Sequence, residues 1–92
     1  MAIKVRILGD LSRFTTDDTA EMDGSGWTIG TAIDELVRRN PGLHEAMFDT
    51  QGRLHYAIFI RNGGRPAAWP GDKDAPVQDD EVLLLTRFHS GG

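Results

Sequence analysis

The order of hydrophobic patterns along this chain predicts an α+β fold, a mixed sheet of four to five strands packed on one main helix. Three observations carry that expectation. Ile3, Val5 and Ile7 alternate with Lys4 and Arg6, the period-two pattern of a half-buried strand with one wet face. Ile29, Ala32, Ile33, Leu36 and Val37 recur at the three-and-four spacing of a single amphipathic helix. Val82-Leu83-Leu84-Leu85-Thr86 is apolar in both alternating phases, as expected of a central, well-covered strand.

The remaining elements fall between these landmarks. Leu8 breaks the first alternation near Gly9, and Asp10 to Asp18 reads as a polar, turn-rich stretch around Leu11 and Phe14. Thr19 to Asp23 reads as a short second strand that closes a hairpin with the first, and Gly24-Ser25-Gly26 ends it. Thr28 is placed to cap the helix, its hydroxyl available to an orphan backbone N–H, and the helix is expected over 29–40. Asn40-Pro41-Gly42 stops it, since the residue before proline is pushed out of the α region. Leu43 to Phe48 reads as one short helical turn with Leu43, Met47 and Phe48 inward, and Asp49 to Gly52 as loop. His55 to Arg61 reads as a strand by its Tyr, Ile and Phe content. Asn62-Gly63-Gly64 signals a hairpin or tight reversal, and Arg65 to Trp69 an edge segment at best, because Pro66 and Pro70 donate no ladder hydrogen bonds. A charged connection from Gly71 to Glu81 leads to the final strand.

Composition bounds the function. Ninety-two residues make one domain, with 39% hydrophobic and 26% charged residues. No apolar run approaches the roughly 20 residues needed to span a bilayer, and the charged N-terminus is not a signal peptide, so no membrane and a cytoplasmic location are expected. The chain has no cysteine, which excludes disulfides, thiolate metal sites and a protein persulfide. A net charge of -4 argues against sequence-independent nucleic-acid binding and is more compatible with a basic-faced protein partner.

The element order is that of a β-grasp, a mixed sheet wrapped over one helix, in which the last strand runs beside the first and ejects the C-terminal residues. The expected division is a β-grasp domain over 1–87 and a flexible arm over 88–92. The arm finishes on Gly91-Gly92, two residues without Cβ atoms, so a terminal carboxylate there is expected to thread a narrow channel.

Thr28 to Leu36, Asn40-Pro41-Gly42-Leu43, the Asn62-Gly63 turn, Asp80-Glu81-Val82-Leu83-Leu84-Leu85 and the terminal Gly91-Gly92, in that order, resemble the MoaD/ThiS sulfur-carrier family of ubiquitin-like proteins. The resemblance spans nearly the whole chain. It implies a carrier that is not itself an enzyme, whose Gly92 carboxylate is adenylated by an ATP-using activating enzyme. A sulfur donor then converts it to a thiocarboxylate for a recipient biosynthetic enzyme. Gly92 carries the sulfur and Gly91 keeps the backbone slim beside the partner's active site. A thiocarboxylate needs no cysteine on the carrier. The family's molybdopterin branch usually has a proline pair and small apolar residues before the diglycine, where this chain has Thr86 to Ser90. A histidine near the terminal glycines is similar to the tRNA-thiolation members. The resemblance therefore implies the carrier class and leaves the recipient open.

Other candidates weigh less. His44, His55 and His89 lie on separate expected elements without metal-ligand spacing, and no metal is assigned. Asp17-Asp18 and Asp79-Asp80-Glu81 sit in turn-like stretches where carboxylates serve solubility and capping. Gly71-Asp72-Lys73 and Asn62-Gly63-Gly64-Arg65 lack the spacing of a phosphate loop, so the chain itself is expected to bind no cofactor and any ATP belongs to the partner. Trp27 and Trp69 read as packing residues at the edge of the core. Arg87, Phe88 and His89 are the candidate docking residues: Arg87 for acidic groups on an activating enzyme, Phe88 either as an interface anchor or folded back onto the sheet. Three other functions stay open: a ubiquitin-like modifier joined to lysines through Gly92, a β-grasp interaction module that forms no conjugates, and an independent small enzyme, which the lack of a convergent catalytic constellation in the sequence disfavours.

Overall fold

The computed structural model describes residues 2–79 and 81–87. Its sheet has five strands, β1 (Ala2–Gly9), β2 (Thr19–Asp23), β3 (Ile58–Asn62), β4 (Arg65–Ala67) and β5 (Val82–Arg87), in the order β2-β1-β5-β3-β4. Helices α1 (Ile29–Arg39) and α2 (Pro41–Met47) lie between β2 and β3 in the chain. β5 runs parallel to β1 and antiparallel to β3, so the last strand in sequence is the middle one in space.

The alternation seen in the sequence decides which face is dry. Ile3, Val5, Ile7, Met22, Ile58, Ile60, Leu83 and Leu85 all point to one side, where they pack against Ile29, Ile33, Leu36, Leu43 and Met47 of the helices. Each such fully buried aliphatic side chain contributes roughly 1.5–3 kcal/mol of transfer free energy. The expectation that β5 is covered on both faces is corrected here. Leu83 and Leu85 are fully buried, but Leu84 and Thr86 are half-buried and Val82 is 37% exposed, because the helices form one layer on one side only.

Capping sets the helix boundaries. The Thr28 hydroxyl accepts from the Thr31 N–H at 3.1 Å, and the Thr31 hydroxyl accepts from the Thr28 N–H at 2.8 Å, a reciprocal capping box. The N–H groups of Ile29 and Gly30 donate to the carbonyls of Ala75 and Lys73, which straps the 73–75 loop over the helix start. Replacing Thr28 with alanine is expected to cost about 1 kcal/mol in urea denaturation. At the other end the Asn40 amide donates to the Leu36 carbonyl at 3.0 Å and its oxygen accepts from the Thr16 N–H. Pro41 then starts a new helix rather than leaving a stop, since its locked φ suits a first helical position where no N–H donor is needed. The single turn expected over Leu43 to Phe48 is thus part of a seven-residue helix, with Leu43, Ala46 and Met47 buried and Phe48 packed at the core edge.

Two other segments differ from expectation for local reasons. Asp10–Phe14 forms a 3-10 turn because Leu11 is fully buried and anchors it, and the Ser12 hydroxyl donates to the Gly9 carbonyl. β3 begins at Ile58, not His55. The N–H of His55 is taken by the Met47 carbonyl and His55 Nδ1 accepts from the Ala57 N–H, so local bonds replace ladder bonds there. Beyond β3, Gly63 and Gly64 have φ of 62° and 83°, the two positive values that a two-residue hairpin turn of type I′ requires. β4 is the short edge strand expected around Pro66.

On the outer face of α1, Glu35 takes hydrogen bonds from both Arg38 and Arg39, at 2.6 and 2.8 Å for the shortest of each. Those bonds, from Arg38 first and then Arg39, hold its carboxyl at about 2, below its ordinary 4.5. A lowered folded-state value stabilises the fold above the unfolded value, and that contribution disappears as pH falls through the folded one. Stability is therefore expected to decline between about pH 4.5 and 2 in the native chain, with a shallower decline in Glu35→Gln, measured by acid titration of the unfolding midpoint.

Candidate functional site

The site is the sheet face that the helices leave uncovered, together with the end of β5 at Arg87. The register arranges this face in rows. Leu8, Thr86 and Phe59 align across β1, β5 and β3 at the end nearest Arg87. Arg6, Leu84 and Arg61 form the next row, continued by Pro66 on β4. Lys4 and Val82 follow, with Glu21 beside Lys4 on β2. Rows on one face lie two residues, or about 6.8 Å, apart.

Around the first two rows the surface sinks into a hollow of about 510 Å³ lined by Leu8, Phe59, Pro66, Leu84 and Thr86, with Arg61 and Arg87 also contributing. Phe59 is 52% exposed. Two further exposed aromatics lie in segments that join this same end of the sheet. Phe14 closes the turn that follows Gly9, and Tyr56, 80% exposed and stacked on His55 at 4.7 Å, precedes Ile58. Gly9 and Ile58 are the residues paired with Arg87. Apolar surface such as that lining the hollow marks an interaction site on a small protein.

Gly9 makes the crowded strand end possible. Its φ is 68°, and a Cβ there would stand 2.6 Å from the Arg87 carbonyl oxygen. Glycine lets β1 turn away into the 3-10 segment while β5 passes alongside.

The sequence-derived site residues divide by position. Arg87 is the last residue of β5, half-buried at the edge of the hollow. Phe88, His89, Gly91 and Gly92 lie outside the described residues, as does Asp80 of the acidic cluster. His44 sits on α2 against Phe48, whose ring in turn meets Trp69 at 5.6 Å, and His55 is held in the turn before β3. Among the described residues no group of three or more His, Asp or Glu side chains is arranged to hold a metal ion. Asp17 is solvated, while Glu81 lies under the Gly63 turn, 3.8 Å from Arg65. Asp72 accepts from the Ala68 N–H at 2.7 Å and shapes its own loop. Trp27 and Trp69 pack at the core edge, and the Trp27 indole N–H donates to the Asp23 carbonyl. Leu8, Phe59 and Leu84 are the site residues that sequence reasoning missed. Their signal was present as apolar residues in the wet phase of each strand.

A five-stranded mixed sheet on one helical layer, with its last strand central, makes this chain a ubiquitin-like β-grasp protein. Within that class it is similar to small archaeal modifier protein 1 of Haloferax volcanii, at 29% identity over 87 residues covering 94% of this chain and 97% of the relative. The crystal structure of SAMP1 from Haloferax volcanii superposes with a TM-score of 0.83 at 27% identity, covering 100% of both chains. A chain in the crystal structure of the Amycolatopsis orientalis BexX/CysO complex shares the fold, with a TM-score of 0.73 at 24% identity and coverage of 99% and 100%. No family model matches the chain. The resemblance to ubiquitin-like carriers read from the sequence is borne out by these relatives. By its name the Haloferax relative is a small modifier protein. No helix of the described residues is long and apolar enough to cross a membrane.

Proposed function

We propose that this protein is a sulfur carrier that docks on an activating enzyme through the uncovered sheet face and presents the Gly92 carboxylate for adenylation. The observation that carries the reading is the central position of β5, whose end lies beside the apolar hollow. A partner seated on that face would stand next to the point where residues 88–92 leave the domain. On this reading residues 1–87 form the domain and 88–92 the reactive arm.

The chemistry follows from the weakness of a carboxylate as an electrophile. The carboxylate oxygen attacks the α-phosphorus of ATP held by the partner, pyrophosphate leaves, and an acyl-adenylate results. A sulfur nucleophile at the hydrosulfide level then attacks the acyl carbon and AMP leaves, so that a C–S bond replaces the C–O bond to phosphate. The chain needs no cofactor of its own. The reaction belongs in the cytoplasm, where ATP, the sulfur donor and the recipient enzyme meet it.

Intact-mass analysis of the protein isolated from its native host tests this. A species about 16 Da heavier, as sulfur replaces oxygen, is the expected result, and its absence from sulfur-replete cells would count against the carrier role. The name of the archaeal relative favours a second reading, conjugation of Gly92 to lysines of other proteins. That reading shares the adenylate and differs in the nucleophile, so Gly-Gly remnants on lysines in digested extracts distinguish it.

A further inference from the structure

The pairing of the arginines divides the surface in a way that the net charge of -4 conceals. Arg13 pairs with Asp10, Arg38 and Arg39 with Glu35, Arg53 with Asp49, and Arg65 with Glu81. Arg6, Arg61 and Arg87 have no carboxylate partner among the described residues. Arg6 on β1 and Arg61 on β3 stand in the uncovered phase of the sheet, whereas Arg87 shares the strand phase of Leu83 and Leu85. Arg6 and Arg61 flank Leu84 in a single row and share with it a second hollow of about 230 Å³. Two strand spacings put their Cα atoms about 10 Å apart. Arg61 is held in place by donating to the Gly64 carbonyl, so its charge is fixed over the face without being neutralised.

We propose that the activating partner meets this row with an acidic surface, placing carboxylates opposite Arg6 and Arg61 around an apolar contact with Leu84. The inference rests on the docking role given to this face above. It reverses the basic-faced partner that the overall charge suggested. Burying an unpaired guanidinium is unfavourable, so a surface that covers this row must supply the counter-charge. Among the described residues, Glu35 and Asp49 are engaged by arginines, and Glu21, Asp79 and Glu81 gather with Lys4 and Val82 beyond the arginine row. The charge order along the face, cationic near the hollow and acidic at the far end, also fixes which way round the chain docks.

The test uses the full-length chain and the purified adenylating enzyme encoded in the same genome. Equilibrium binding is measured without ATP, and ATP–pyrophosphate exchange is measured separately. Arg6→Glu or Arg61→Glu is expected to weaken binding about tenfold, and the pair about a hundredfold, with melting temperatures unchanged. Arg6→Lys with Arg61→Lys retains most of the affinity. Lys73→Glu, an equal change in charge on the 73–75 loop, leaves binding within about twofold, because only pairs at the interface are desolvated. Added salt weakens the wild-type complex more than that of the Arg6→Ala/Arg61→Ala chain. Unaltered binding by the double reversal, or equal weakening by Lys73→Glu, overturns the proposal. Binding that is lost on reversal but gives no pyrophosphate exchange with the wild type supports the acidic surface and removes the activation reading. No binding by the wild type overturns both.

Discussion

Adding one alanine after Gly92 is expected to abolish adenylation by the cognate enzyme, and Gly92→Ala to reduce it at least about a hundredfold. The extension carries the carboxylate about 3.5 Å beyond its present reach. In-line attack on a phosphorus atom tolerates far less, since a misplacement of about 1 Å already costs about a hundredfold. The substitution keeps the length but adds a Cβ at the residue that must enter the partner's site. On the proposed division into domain and arm, melting temperature and affinity for the enzyme without ATP should match the wild type. Pyrophosphate exchange by either variant at the wild-type rate would remove Gly92 from its assigned role.

Gly9→Ala is expected to destabilise the fold by about 2–4 kcal/mol, a large effect for one added methyl group. Gly9 has φ 68° and ψ -146°, a region open to glycine and costly by about 1–3 kcal/mol to other residues. The new Cβ also falls 2.6 Å from the Arg87 carbonyl oxygen, so β1 and β5 must separate at their shared end. Urea denaturation measures the loss. Because Arg87 is the last residue of β5, before the proposed reactive arm, the apparent KM for the proposed adenylation should rise as well, even in conditions where the variant is fully folded. A loss below about 0.5 kcal/mol would show that this end of the sheet adapts without strain.

Much of this fold was legible because several local signals agreed. Thr28 as a cap, the apolar stripe of α1 and the alternation of β1 all lead to the same arrangement, and each was found where it was expected. Errors arose where one signal had two physical causes. Pro41 both ends a helix and begins one, and the sequence does not say which until Leu43, Ala46 and Met47 are seen to be buried. His55 and Tyr56 have strand-like character, but a histidine that can accept from the backbone offers its neighbours another set of bonds.

The candidate site was less legible for a related reason. Apolar residues in both phases of β5 are compatible with a second covering layer of the same chain or with a surface for another protein, and only the one-sided helical layer separates these. The sign of the proposed docking face was hidden in the same way. Net charge sums over carboxylates and guanidinium groups that neutralise one another on α1 and in the loops, and so says nothing of Arg6 and Arg61.

The central place of β5 also governs when the domain comes into being. β1 with β2 and β3 with β4 are each local hairpins, but the two are joined only by residues 82–87. During synthesis the halves wait, unjoined and with their dry faces only partly covered, until that strand has cleared the ribosome. Pairings so distant in sequence make folding slow relative to a helical bundle of this size. A nascent chain interrupted before Val82 therefore lacks the strand that joins the two hairpins and, on the proposed function, cannot compete for the activating enzyme with the folded domain.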